Sequence, residues 1–111
     1  MRVVVCEKFG PVTDLTVVER DSVPCGPSAV RIAVSAIGVN YVDGLFVKGE
    51  YQIKPPVPFT PGMELVGRIA EVGEGVTDRA VGDRVFANVG LGAYASEVVA
   101  PALATLVLPA D

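Results

Sequence analysis

Between residues 54 and 62 the chain reads KPPVPFTPG, and this run of breakers limits the fold more than any other feature. Each proline lacks a backbone donor and biases the residue before it toward extended geometry, so the stretch can be neither helix nor central strand. It is expected to form an extended surface loop. Across the whole chain the 12 Gly and 9 Pro act as punctuation between short apolar runs rather than as low-complexity sequence. No long helix fits between such breaks.

The runs themselves read as strands. RVVVCE from Arg2 to Glu7 is Val-rich, GPVTD from Gly10 turns it back, and LTVVER from Leu15 to Arg20 completes a hairpin of β-branched density. VPCGPS is a breaker cluster, and AVRIAVSAIGV from Ala29 is a long run with Arg31 and Ser35 as its polar positions, the pattern of a half-buried strand. Tyr41 to Val47 can form about two helical turns, with Asp43 suited to the positive end of the helix dipole. ELVGRIAEVGEG, DRVFANV, AYASEVVA and TLVLP supply the remaining strands. About seven short strands with evenly spaced turn signals suggest a small, mainly β antiparallel barrel or sandwich.

The length of 111 residues fits a single domain, and half of the residues being hydrophobic (50%) excludes a disordered tail. Nine Lys and Arg against 13 Asp and Glu leave a net charge of −4, which disfavours nucleic acid as a partner. No apolar run approaches the roughly 18 residues of a membrane-spanning helix, and MRVVVCEKFG is too short for a signal peptide. A soluble, cytoplasmic chain is expected, with Cys6 and Cys25 as reduced thiols, Cys6 buried and Cys25 in a turn.

With no histidine and two distant cysteines, the usual zinc sites and Ser-His or Cys-His pairs cannot be assembled from these residues. GLGAYA, from Gly90, matches G-x-G-x-x-G/A, but the dinucleotide fingerprint needs a helix after it, and YASEVVAP is β-prone and stopped by Pro101. It is read instead as a Gly-rich hairpin between two strands, with Tyr94 packed inside it. The stretch GVNYVDGLFVKGEY, from Gly38 to Tyr51, concentrates an amide, two phenols, two carboxylates and an ammonium in one connection.

The ordered combination GVN-x-V-D, PG-x-E-x-x-G, VGDRV and GAYA, ending in LVLPAD, resembles the N-terminal GroES-like domain of the medium-chain dehydrogenase/reductase superfamily. More closely it is similar to the zinc-independent quinone oxidoreductase (zeta-crystallin-like) branch. The resemblance implies a partly open antiparallel β-barrel with one or two short helices, spanning residues 1–111 as part of a larger reductase whose Rossmann domain is absent from this chain. It implies hydride transfer from NADPH to a quinone or an α,β-unsaturated carbonyl, NADP(H) held mainly by that absent domain, and a homodimeric full-length protein. Zinc alcohol dehydrogenases carry a cysteine ligand where this chain has Asn40 and a histidine where it has Met63, so no zinc is expected. Glu64, next to that position, is assigned a structural hydrogen-bonding role.

By the same resemblance, Asn40 would aim its amide at the nicotinamide ribose or the substrate carbonyl. Tyr51 would donate a hydrogen bond as charge develops on that carbonyl, and Tyr41 would help bind cofactor. Packing of Tyr41, Leu45 and Phe46 onto the barrel competes with a site role, and Lys48 with Glu50 reads as a solvated pair. Relatives often carry an aromatic residue at Leu45 and R-S-G in place of Val47 to Gly49, which bears on substrate preference. Pro109 with Asp111 reads as a helix start leading into the nucleotide-binding domain, so the chain alone is expected to be inactive. Three other readings remain open: an assembly module like the co-chaperonins, a small-ligand binding module, and an enoyl reductase of the same superfamily.

Overall fold

The computed structural model describes residues 1–109. Asp111, half of the expected helix-start signal, lies outside them. Seven strands form in chain order: β1 (Arg2–Val5), β2 (Thr16–Glu19), β3 (Ala29–Ile37), β4 (Glu64–Val72), β5 (Arg84–Asn88), β6 (Glu97–Pro101) and β7 (Thr105–Val107). One α-helix, α1 (Tyr41–Lys48), lies between β3 and β4, and 3-10 turns occupy Val12–Asp14 and Ala102–Ala104.

β1 and β2 pair antiparallel, Arg2 opposite Glu19 and Val5 opposite Thr16, so the expected hairpin forms. The other five strands make one antiparallel sheet in the order β6-β3-β4-β5-β7. Period-two burial along β3 and β4 drives Val30 and Ile32 into contact with Leu65 and Ile69, and β5 adds Val85 from the next row. Each such side chain contributes roughly 1.5–3 kcal/mol by leaving water. The barrel is partly open: among the described residues β6 and β7 are the edges of the large sheet, each paired on one side. The small sheet is stitched to it through residues 94–96, where Val4 N–H donates to the Tyr94 carbonyl at 2.9 Å and Ser96 N–H to that of Arg2 at 2.8 Å.

Two local readings are corrected. The GLGAYA segment is not a hairpin, because the β5 and β6 that it joins are separated in the sheet by β4 and β3. It is a crossover that carries Tyr94 across the barrel mouth toward α1. The proline-rich loop is also not wholly at the surface: Pro55, Pro61 and Gly62 are buried. The cause is a two-way backbone pairing of Phe59 with Cys6, at 2.8 and 3.1 Å, which pulls the end of the loop inward. Burying prolines there leaves no donor unsatisfied. Cys6 is buried and Cys25 half-buried, both as free thiols, and burial pushes the Cys6 thiol above its ordinary pKa.

Charge on the sheet is concentrated at Arg31. Its Nε donates to Glu71, the residue opposite it on β4, at 2.9 Å, and its terminal nitrogens reach Glu97 at 3.4 Å and the Val23 carbonyl at 2.6 Å. Ser22 donates to the same Glu97 carboxylate, so the breaker cluster before β3 is strapped down across the sheet.

Candidate functional site

β3 ends at Ile37, and the backbone of Gly38 donates to the Glu64 carbonyl at 3.2 Å, bringing the end of β3 and the start of β4 together. A side chain at position 38 would collide with Glu64, its Cβ lying only 2.8 Å from the Glu64 Cγ. The glycine is therefore what allows Glu64 to lie across this corner. Asn40 follows in extended geometry (φ −116°, ψ 153°) and caps α1.

The cap works through Asp43. The Asn40 backbone N–H donates to Asp43 Oδ2 at 3.0 Å, the carboxylate lying near the positive end of the helix. The helix closes two turns later at Gly49, whose positive φ of 71° provides the left-handed C-terminal residue that a side chain resists. The Asn40 side-chain Nδ2 points the other way and donates to Glu64 Oε1 at 3.4 Å, the structural role expected of that carboxylate.

Asp43 is only 3% exposed. The Tyr94 hydroxyl, delivered by the crossover, donates to the same Oδ2 at 2.8 Å. Burial first, and then the bond to the neighbouring carboxylate, push the Tyr94 pKa up to about 12. Asp43 Oδ1 is buried and accepts no hydrogen bond among the described residues. These groups sit at a cleft of about 350 Å³ between the first 3-10 turn and α1, walled by Val12, Leu15, Val39 and Val47, with Asn40, Tyr41, Asp43 and Tyr94 at its polar end.

Of the residues singled out from sequence, Asn40 and Tyr41 both line this cleft. Tyr41 is 86% exposed and forms part of its rim rather than packing onto the barrel. Tyr51 stands past the far end of the helix with its ring against Phe46, centroids 4.8 Å apart, and it is not among the lining residues. Lys48 and Glu50 are exposed. Sequence reasoning missed Asp43 as a buried anchor and Tyr94 as its partner. The first had a signal, an acidic residue three positions after an Asn at a helix start. Tyr94 had none, because its partner is 51 positions away in sequence.

Comparison with known proteins adds to this geometry. The model of the alcohol dehydrogenase GroES-like domain family matches residues 26–110. The synaptic vesicle membrane protein VAT-1 homolog of Rattus norvegicus is 39% identical over 98% of the chain, which spans 28% of that protein. Quinone oxidoreductase-like protein 2 of Mus musculus is 44% identical over 77% of the chain, and the matched part is 24% of its length. Among solved structures, Escherichia coli quinone oxidoreductase complexed with NADPH superposes on 98% of the chain and 33% of its own, with a TM-score of 0.92 at 30% identity. The chain thus spans about a quarter of the length of these curated relatives.

Proposed function

Because the chain belongs to the alcohol dehydrogenase GroES-like domain family, within the medium-chain dehydrogenase/reductase superfamily, we propose that it is the substrate-side domain of a cytoplasmic, zinc-independent and homodimeric NADPH-dependent quinone oxidoreductase. That enzyme transfers hydride to a quinone or an α,β-unsaturated carbonyl. The observation that carries the reading is Asn40, held at the mouth of an apolar cleft with its amide tethered to Glu64 at 3.4 Å. The volume of about 350 Å³ lies within the range of small-molecule sites.

The cleft fits one end of the cofactor. Its lining is mainly apolar, with an amide, two phenols and the Asp43 carboxylate but no Lys or Arg, which leaves the phosphates to a nucleotide-binding domain outside these residues. NADPH, when bound, supplies the hydride. Asn40 orients the ring or the substrate carbonyl through its amide, and the apolar walls exclude water. Tyr51 donates its phenolic hydroxyl toward the carbonyl oxygen as negative charge gathers there. In this reading Tyr51 meets the substrate from beyond the end of α1, where its ring packs on Phe46.

The test is NADPH oxidation with a simple quinone, measured for the longer protein that carries this domain and for the 111-residue chain. Turnover is expected in the former alone. Within the longer protein, Asn40→Ala and Tyr51→Phe should each lower kcat/KM by about 10–100-fold, the size of one lost transition-state hydrogen bond. A longer protein that leaves NADPH unoxidised with every quinone tried would sink the reading.

A further inference from the structure

Resting on the reductase reading for its catalytic readout, we propose that Tyr94 is a positioning residue for Asn40 and acts through Asp43. The Asn40 side chain turns about two torsions, the outer of them broad, so the aim of its amide must come from its partners. Its own hydrogen bond, from Nδ2 to Glu64 Oε1, is 3.4 Å long, beyond the roughly 2.7–3.2 Å of a firm N–H···O bond. That bond tethers the amide without fixing where the residue stands. The firmer hold is on the backbone, where the Asn40 N–H meets Asp43 Oδ2 at 3.0 Å.

That oxygen accepts a second bond, 2.8 Å from the Tyr94 hydroxyl. A carboxylate can turn about its last torsion, and two donors converging on one oxygen from different elements hold it in a single orientation. Tyr94 is itself pinned. Its N–H donates to the Pro61 carbonyl at 3.0 Å, and its carbonyl accepts from the Val4 N–H at 2.9 Å. Its ring fills the space that a side chain at Gly62 would need, an added Cβ there lying 2.9 Å from Tyr94 Cε1. The hydroxyl is therefore a fixed post on the crossover: it sets Asp43, and Asp43 sets the Asn40 backbone. The stretch from Pro61 to Glu64 serves both arms, since Pro61 and Gly62 seat Tyr94 while Glu64 tethers the amide. Removing the hydroxyl keeps the tether and loosens the backbone hold, so the amide drifts although no group that touches the reacting atoms has changed. A drift of about 1 Å is enough to cost a large factor in rate.

The experiment is a double-mutant cycle in the longer protein, read by NADPH oxidation with a simple quinone. Tyr94→Phe keeps the ring and should lower kcat/KM about tenfold, mainly through kcat. In an Asn40→Ala background the same change should cost less than about twofold, because no amide is left to aim. A residue that only supports the fold costs the same in both backgrounds; that result, or no loss in the native background, would overturn the inference. A second measurement needs no turnover. In NMR spectra of the 111-residue chain, Tyr94→Phe should move both the backbone amide and the side-chain NH2 signals of Asn40. Asn40 signals that stay in place while those around residue 94 move would overturn the inference. Should the variant not fold, the native chain decides: a Tyr94 hydroxyl proton protected from exchange and close to the Asn40 amide proton is expected, and one exchanging as freely as that of the exposed Tyr41 overturns it. The two failures separate. Asn40 signals that move, in a protein whose longer form turns over no quinone, overturn the reductase reading alone, and turnover with equal losses in the two backgrounds overturns the positioning role alone.

Discussion

Two polar clusters hold this domain together, and they are built on opposite principles. Around Arg31 a cation is met by two carboxylates and a carbonyl. Glu71 is half exposed, with 53% of its side chain accessible, and the pairing with Glu71 raises the Arg31 pKa above its ordinary value. Around Asp43 a buried carboxylate is met, among the described residues, only by neutral donors on one oxygen, with the other left without a partner there. The first cluster matches charge with charge where solvent still screens it. The second holds charge under-compensated where solvent does not reach. Structural networks tend toward the first arrangement, and sites toward the second, because an unsatisfied buried group is what a ligand can satisfy.

The largest effect that separates them is expected at Asp43. Asp43→Ala leaves the Tyr94 hydroxyl and the Asn40 N–H without their acceptor and uncaps α1, a cost of about 3 kcal/mol. In urea the unfolding midpoint should fall with the slope unchanged. A loss no larger than that from removing Arg31 would erase the distinction between the clusters.

Tyr94→Phe probes the same cluster more gently, removing one donor and keeping the ring, for about 1–1.5 kcal/mol. It also gives the pH dependence a definite sign. The folded pKa of about 12 lies above the ordinary value of 10.0, so the folded state holds the phenolic proton more tightly than the unfolded chain does. Stability from this group is fully present below pH 10 and is lost as pH rises toward 12. Ultraviolet titration of phenolate should show a late component that Tyr94→Phe abolishes, together with the matching loss of stability in alkali. A native chain whose stability is the same as that of the variant across that window would contradict the Tyr94–Asp43 bond.

What the sequence made legible follows the range of the interactions involved. β-branched runs and breakers are local, so the strands, the hairpin of β1 with β2 and the two turns of α1 could be read directly, down to Arg31 and Ser35 as the polar positions of β3. Asn40 was legible as a site candidate, as was the structural use of Glu64, because both lie inside a recognisable ordered motif. GLGAYA misled because a glycine-rich link looks alike whether it joins neighbouring strands or crosses over two others, and sheet order is a non-local property. Tyr94 therefore appeared as hairpin packing although its hydroxyl reaches the helix. The proline loop misled in the same way, since its inward turn depends on pairing with Cys6 more than 50 positions earlier.

The smallest expected effect belongs to the cluster with the most bonds. Arg31→Met keeps the aliphatic stem, which covers apolar sheet, and removes the guanidinium from Glu71, Glu97 and the Val23 carbonyl. Both carboxylates retain access to water, with side chains 53% and 22% exposed, so neither is stranded as a buried charge. The loss should be about 1 kcal/mol or less. It should also shrink as salt is added, because screening weakens the native ion pairs but not a bond between a buried carboxylate and neutral donors. The Asp43→Ala deficit, by contrast, should hardly move with salt. Measuring both variants at low and high ionic strength tests the comparison itself: parallel salt dependence would mean that the Asp43 cluster is as solvated as the Arg31 cluster, and that the number of bonds, rather than their burial, governs what each contributes.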